Sequence, residues 1–296
     1  MAATEPIRIL CIAGPTASGK TARAVEEALA RGGEVISVDS RQVYRMLDIG
    51  TEKPTLEERR GVPHHLIDIR EPEEVYSAGD FVADATRLIR EISSRAKLPI
   101  LAGGTHFYFD ALLHGLPPET PPDPNLRTEL DALDDAELLA RIEAADPERA
   151  AVLDPKNRRR LIRALEIIAA HGTVPRRAPL TDYEVEWMVL EPSRELMRAR
   201  IDEREATKFP RGLLDEVRHV RERLLERYRA RGDASPETTA DARLDELGLE
   251  YRVVGEFLRG ARDKASILPT LSAQLWQYAR RQSAWLRKLR DESVIR

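Results

Sequence analysis

The stretch AGPTASGKTARA at residues 13–24 restricts this chain more than any other. It satisfies G-x-x-x-x-G-K-[ST], a spacing in which the backbone curls so that its N–H groups face a phosphate. The apolar run IRILCIA at 7–13 precedes it, and a segment of helical composition from Lys20 to Ala30 follows. Strand, loop and helix in that order aim a helix N-terminus at an anion. Gly14, Pro15, Thr16, Ala17, Ser18 and Gly19 then form the cradle. Lys20 neutralises phosphate charge, and Thr21 offers its hydroxyl to a Mg2+ ion bridging phosphate oxygens. The loop specifies phosphate without saying whether the ligand is a nucleotide.

Further apolar runs follow at EVISVDS (34–40), HHLIDI (64–69, the weakest) and LPILAGGT (98–105), with an amphipathic helix pattern at 78–97. Strands alternating with helices predict parallel strands whose ligands sit at the carboxyl ends. The proline-rich GLPPETPPDPN at 115–125 reads as a linker, and 125–172 has no strand candidate. YEVEWMVLEP at 183–192 resumes strand character, and from Ser193 onward the pattern is helical with a break near RGDASPETT. The expected class is α/β, a P-loop NTPase-like parallel-sheet core with a helical insertion domain and a helical C-terminal region. Residues 1–120 supply the first part of the core, 121–182 the insertion, and 183–296 the return strand and C-terminal helices.

The net charge of −4 over 296 residues argues against a nucleic-acid binder, but the basic residues cluster locally. Lys156, Arg158, Arg159, Arg160 and Arg163 fall within eight residues, and on a helix Arg159, Arg160 and Arg163 share a face while Leu161, Leu165 and Ile168 turn inward. That face suits RNA phosphates, or a polyphosphate under a closing lid. Near the C-terminus, Arg280, Arg281, Arg287, Lys288, Arg290 and Arg296 alternate with Trp276, Tyr278 and Trp285, which suits RNA by phosphate contact and stacking, or aromatic packing beneath a solvated basic face. Cys11 reads as a small core residue. The start lacks a basic signal-peptide region and no stretch approaches the length of a membrane span, so a cytoplasmic chain with no membrane partner is expected.

Two strand ends carry chemistry. Asp39 closes SVDSRQVY, where it is a Mg2+ outer-sphere ligand, a general base or a helix cap. The third strand ends in Gly103-Gly104-Thr105, where a phosphate-loop nucleotidase commonly carries an acid, and Thr105 offers a neutral hydroxyl.

In this order the motifs GPTASGKT (14–21), SVDSRQVY (37–44), DIGTEKP (48–54), PHHLIDI (63–69), YSAGDF (76–81), GGTHFYFDALLHGL (103–116), RRLIRALEI (159–167) and ARRQSAWLR (279–287) resemble the tRNA dimethylallyltransferases over essentially the whole chain. The resemblance implies transfer of a dimethylallyl group from dimethylallyl diphosphate to N6 of adenosine-37, 3′ of the anticodon, with Mg2+, release of diphosphate, and the tRNA anticodon stem-loop as partner. A free-adenylate prenyltransferase and a phosphate-loop small-molecule kinase are the alternatives, and a monomer is expected. By resemblance, residues 14–21 hold the diphosphate with Mg2+ near Thr21, Asp39 is the general base, and Lys20 and Thr105 assist at the reacting centre. Also by resemblance, Asp39, Ser40, Arg41 and Gln42 recognise the adenine, while Thr105, Arg127, the run Arg159, Arg160, Leu161, Ile162, Arg163, and Arg280, Arg281 and Gln282 contact tRNA. Two positions depart from the family pattern: His106 stands where a small residue is usual, and Glu250 replaces a glycine, where its carboxylate is expected to repel RNA phosphate.

Overall fold

The computed structural model describes residues 5–116, 120, 123–175 and 182–291, with side chains to residue 287. Residues 117–119, 121 and 122 of the proline-rich stretch, the side chains of Lys288 and Arg290, and Arg296 lie outside these residues. The elements run β1 (Ile7–Ala13), α1 (Lys20–Arg31), β2 (Gly33–Val38), α2 (Leu56–Arg59), β3 (His64–His65), α3 (Ala78–Ser94), β4 (Leu98–Gly103) and α4 (His106–His114). After them come α5 (Pro124–Asp131), α6 (Asp135–Ala145), α7 (Pro147–Val152), α8 (Arg158–His171) and β5 (Tyr183–Val189). The chain closes with α9 (Arg194–Lys208), α10 (Leu213–Ala230), α11 (Pro236–Glu246), α12 (Leu249–Leu258) and α13 (Lys264–Asp291).

The five strands pair in parallel in the order β3-β2-β4-β1-β5, as the alternation of apolar runs and helices requires. The three central strands β2, β4 and β1 are largely buried, with Ile9, Leu10, Cys11, Ile12, Ile36, Ile100 and Leu101 fully covered, while the residues of the edge strands β3 and β5 are partly exposed. Burial pushes the Cys11 thiol pKa up, so it stays a protonated core group. Two compact units divide the chain, one of residues 1–112 and 181–296 and the other of 113–180. The smaller unit packs α5–α8 around Leu130, Leu138, Ile142, Leu161 and Leu165. Within it Arg158 is structural: Nη1 donates to Leu133 O and Nη2 to Asp131 O, both at 2.8 Å, satisfying carbonyls after α5.

The sequence reading of 64–69 as a strand needs correction. Pairing stops after His65, because Leu66 (φ 61°) and Asp68 (φ 57°) turn into the left-handed region. Their backbone bonds instead to the segment after β2, with Asp68 N donating to Gln42 O and Ile69 N to Val43 O. The motif at 48–54 has a matching structural task. Glu216 of α10 accepts N–H bonds from Asp48, Ile49 and Gly50, and Lys53, buried, binds Tyr44 O, Asp48 and Asp68.

Glu250 also departs from its expected role. It is 8% exposed and faces Lys208 at 2.6 Å, so it does not present charge to an RNA. Fully buried Lys208 also pairs with fully buried Glu205 at 2.8 Å and donates to Gly50 O at 3.2 Å. Removing one member of a buried ionic cluster leaves uncompensated charge in a low dielectric. Lys208→Ala is therefore expected to lower unfolding free energy by about 3–5 kcal/mol in urea titrations, far more than a surface lysine substitution.

Candidate active site

Parallel pairing of β1 with β4 places Ala13 opposite Gly103, so the phosphate loop and Gly104-Thr105 leave the sheet side by side. β2 flanks β4 on the other side, with Val38 opposite Gly103, which brings Asp39 to the same edge. Gly103 permits this approach, since a Cβ there would collide with the carbonyl of Val38. The site is thus assembled by strand register before any side chain acts.

Gly19 stands at the α1 N-cap with φ 92°, and no side chain caps that helix end. By contrast, α3 is closed by the reciprocal Ser77–Asp80 capping box. The first amides of α1 remain for an anion. Within the loop, Lys20 Nζ donates to Pro15 O at 2.6 Å. Two arginines of α9 also reach it: Arg204 Nη2 donates to Thr16 Oγ1 at 2.9 Å and Arg200 Nη1 to Ala17 O at 3.3 Å. Neither α9 residue was singled out by sequence, because four-residue spacing on a charged helix carries no motif. Burial of the ammonium lowers the Lys20 pKa to about 8, with Asp39 opposing that shift and Arg204 adding to it. Two cations converging on one loop are relieved by an anion between them.

Asp39 caps the turn it begins. Its Oδ1 accepts from Arg41 N at 2.8 Å and Gln42 N at 3.2 Å, and its Oδ2 takes no hydrogen bond among the described residues. Ser40 N donates to Thr105 Oγ1 at 3.0 Å, and Thr105 N donates to Val38 O at 3.1 Å. Thr105 therefore holds the Asp39–Ser40 segment against the end of β4. The Gln42 amide is engaged internally: its Oε1 accepts from Ser37 Oγ and its Nε2 donates to Thr51 O and Glu52 O. It orders the neighbouring loop, and its amide has these partners already. Arg41, partly exposed, forms no ion pair among the described residues.

Gln282 has a role that its place in a basic run concealed. It is 5% exposed, and it bridges the two loops: Nε2 donates to Gly104 O at 2.8 Å, and Oε1 accepts from Thr16 N at 2.8 Å. One turn further along α13, Trp285 stacks on His106 with ring centroids 4.4 Å apart and planes 5° apart. One turn back, burial of the hydroxyl end and the charge of Asp39 push the Tyr278 pKa up to about 12. Trp285 thus packs against the site and Trp276 on the Met197–Ile201 cluster, the packing alternative left open by the sequence, while Tyr278 remains 37% exposed.

Arg280 and Arg281 line a separate cavity of about 680 Å³, together with Glu191, Ser193, Arg194 and Arg287. None of these four arginines forms an ion pair among the described residues, in a chain where most others do. In the smaller unit Arg159 and Arg160 are exposed, Arg163 pairs with Glu166 at 3.0 Å, and Arg127 pairs with Glu166 at 3.3 Å. Leu161 and Ile162 are 0% and 6% exposed, because the helix face they occupy packs on the unit's core. Their side chains are not available to RNA, and the opposite, exposed face carries the arginines.

Fold and site together define a phosphate-loop α/β protein in which a carboxylate, without an acid at the end of β4, faces the cradle's charge. The family model described as IPP transferase matches residues 42–289. The chain belongs to the IPP transferase family. It is 44% identical over 294 residues to a tRNA dimethylallyltransferase of Thermomicrobium roseum, covering 96% of this chain and 84% of the relative. A Burkholderia ambifaria relative of the same name is 42% identical over 99% of this chain and 90% of its own length. The solved tRNA isopentenylpyrophosphate transferase of Bacillus halodurans is 36% identical, with TM-score 0.63 over 95% of this chain and 87% of that one. A eukaryotic dimethylallyltransferase acting on tRNA is 28% identical and superposes with TM-score 0.77 over 96% of this chain and 70% of its own.

The Lys20 environment has a measurable consequence. Below a pKa of about 8 the ammonium is charged and attracts an anion, and above it that attraction is lost. Inorganic diphosphate affinity, followed by calorimetry, is expected to weaken as pH rises past about 8. Lys20→Arg, charged throughout that range, is expected to bind without this decline.

Proposed function

We propose that this chain transfers a dimethylallyl group from dimethylallyl diphosphate to N6 of adenosine-37 in tRNA and releases diphosphate. The observation that carries the reading is the strand register, which brings Asp39 after β2 to the same sheet edge at which the phosphate loop leaves β1. The names of the relatives supply the chemistry such a pair would perform: each is a tRNA dimethylallyltransferase.

In the transfer, the bond from prenyl C1 to the diphosphate oxygen breaks, the bond from C1 to adenine N6 forms, and N6 gives up a proton. An exocyclic amine is a weak nucleophile, so the proton needs an acceptor as positive charge develops on nitrogen. The Asp39 Oδ2 oxygen fills that role while Oδ1 stays fixed by two backbone amides. Charge building on the departing diphosphate is met by Lys20, Arg204 and the uncapped amides of α1. Thr105 acts as a positioning residue through Ser40.

The residues also fit Mg2+ arriving with the diphosphate. Thr21 has an exposed hydroxyl at the start of α1, and no group of three or more acidic, histidine or cysteine side chains suited to a metal occurs among the described residues. Mg2+ takes oxygen donors and readily shares substrate phosphates with one protein hydroxyl, so Thr21 would hold it and bound metal would neutralise leaving-group charge.

For tRNA, the Arg194, Arg280, Arg281 and Arg287 cavity and the exposed Arg159 and Arg160 are the phosphate-binding surfaces. The target base reaches the site by leaving the anticodon-loop stack, where unstacking is cheap. The helical unit as the RNA-contacting insertion, action as a monomer and a cytoplasmic location complete the proposal. No helix among the described residues is long and apolar enough to cross a membrane.

Purified protein with Mg2+, dimethylallyl diphosphate and unmodified tRNA is expected to yield N6-prenylated RNA. Prenylated AMP without an RNA product would contradict the acceptor, and phosphoryl transfer from ATP would contradict the reaction. Asp39→Asn is expected to slow turnover by about 10³-fold while tRNA affinity stays within about threefold. A near-normal rate in that variant would remove Asp39 as the base.

A further inference from the structure

His106 has no place in the chemistry above, yet its environment makes a specific demand. It is 7% exposed, and its Nε2 is buried without a hydrogen-bond partner among the described residues. A buried polar nitrogen without a partner is costly, and folded proteins rarely leave one so. Its surroundings are also rigid. His106 N donates to Gly104 O at 3.1 Å, the carbonyl that Gln282 also holds, and the ring lies flat on Trp285. Gln282 and Trp285 are three residues apart on α13, so one helix face ties the phosphate loop at Thr16 and sets the imidazole plane beside it.

We propose that His106 is a binding residue for the prenyl donor, its neutral imidazole donating the Nε2 hydrogen to an oxygen of the diphosphate. This rests on the reading of the loop as a diphosphate site. The diphosphate is favoured over the prenyl tail because an alkyl chain cannot satisfy a buried nitrogen. It is favoured over adenine because His106 N and Gln282 share the Gly104 carbonyl, and the other end of Gln282 holds Thr16 of the loop that carries the Lys20 ammonium. Burial, with that nearby ammonium, lowers the His106 pKa to about 4, so the ring is neutral at physiological pH. An anion beside Lys20 meets both needs: it pairs with the ammonium and accepts from the imidazole. A short hydrogen-bonding side chain that is stacked in advance costs little entropy when it engages the ligand.

Two variants separate this role from packing. His106→Phe keeps a flat ring against Trp285 and removes the nitrogen. His106→Gln loses the ring but returns an N–H at similar reach. Calorimetric titration with inorganic diphosphate and steady-state kinetics with tRNA provide the readouts. His106→Phe is expected to weaken diphosphate binding about tenfold and to raise the KM for dimethylallyl diphosphate by a similar factor, with kcat and tRNA affinity within about twofold. His106→Gln is expected to recover at least half of the lost affinity on a logarithmic scale. Equal diphosphate affinity in the wild type and His106→Phe would overturn the assignment, as would a parallel loss of tRNA affinity and melting temperature. A wild-type protein that binds no diphosphate would overturn the reading of the loop itself, a result distinct from either.

Discussion

The two-ended hydrogen bonding of Gln282 is the contact on which the rest of the site depends. β1 and β4 deliver two loops to adjacent points, but register alone does not fix how those loops face one another. The Gln282 amide does so by giving a hydrogen to Gly104 O and taking one from Thr16 N. Being almost fully buried, it is held by the cost of leaving either end unpaired. With α13 fixed in this way, Trp285 meets His106 and Tyr278 comes within range of Asp39. A C-terminal helix thus supplies a wall to a site whose phosphate and carboxylate groups come from the first strands of the chain.

Charge is distributed to the same end. The chain is acidic overall, and its arginines are largely spent on ion pairs such as Arg31–Glu186 and Arg221–Asp241. Four without an ion pair among the described residues, Arg194, Arg280, Arg281 and Arg287, line the cavity beside α13, and Arg159 and Arg160 are exposed on α8. Around the loop, burial and then the charge of Arg204 lower the Lys20 pKa, and repulsion between the two cations makes binding of an anion favourable. The site is therefore arranged to stabilise negative charge on a departing group, with one carboxylate kept beside it for a proton.

Much of this was legible in the sequence where the signal was local. The apolar run, glycine loop and helix at 7–31 follow from short-range spacing, as do Asp39 at one strand end and Gly103-Gly104-Thr105 at another. The family resemblance and the α/β class carried through to the fold and the comparisons. What escaped were contacts made across long sequence separations. Gln282 looked like part of a basic RNA-binding run, and only the approach of α13 turns it inward. Glu250 looked repulsive until Lys208, 42 residues earlier, supplied its partner. Leu161 and Ile162 were carried along with the arginines around them, although helix geometry puts them on the buried face. The strand expected at 64–69 is cut to His64–His65 because two residues in the left-handed region redirect the hydrogen bonds that follow.

The central claim is that the loop grips a leaving group, so the carbon chain moves and the phosphate stays behind. Dimethylallyl diphosphate carrying radiocarbon in the prenyl chain and radiophosphorus in the diphosphate tests it in one incubation with tRNA and Mg2+. The account predicts radiocarbon in the RNA and an equal quantity of radiophosphorus as free diphosphate, with no requirement for ATP. Radiophosphorus in the RNA, or release of diphosphate without carbon transfer, would contradict it.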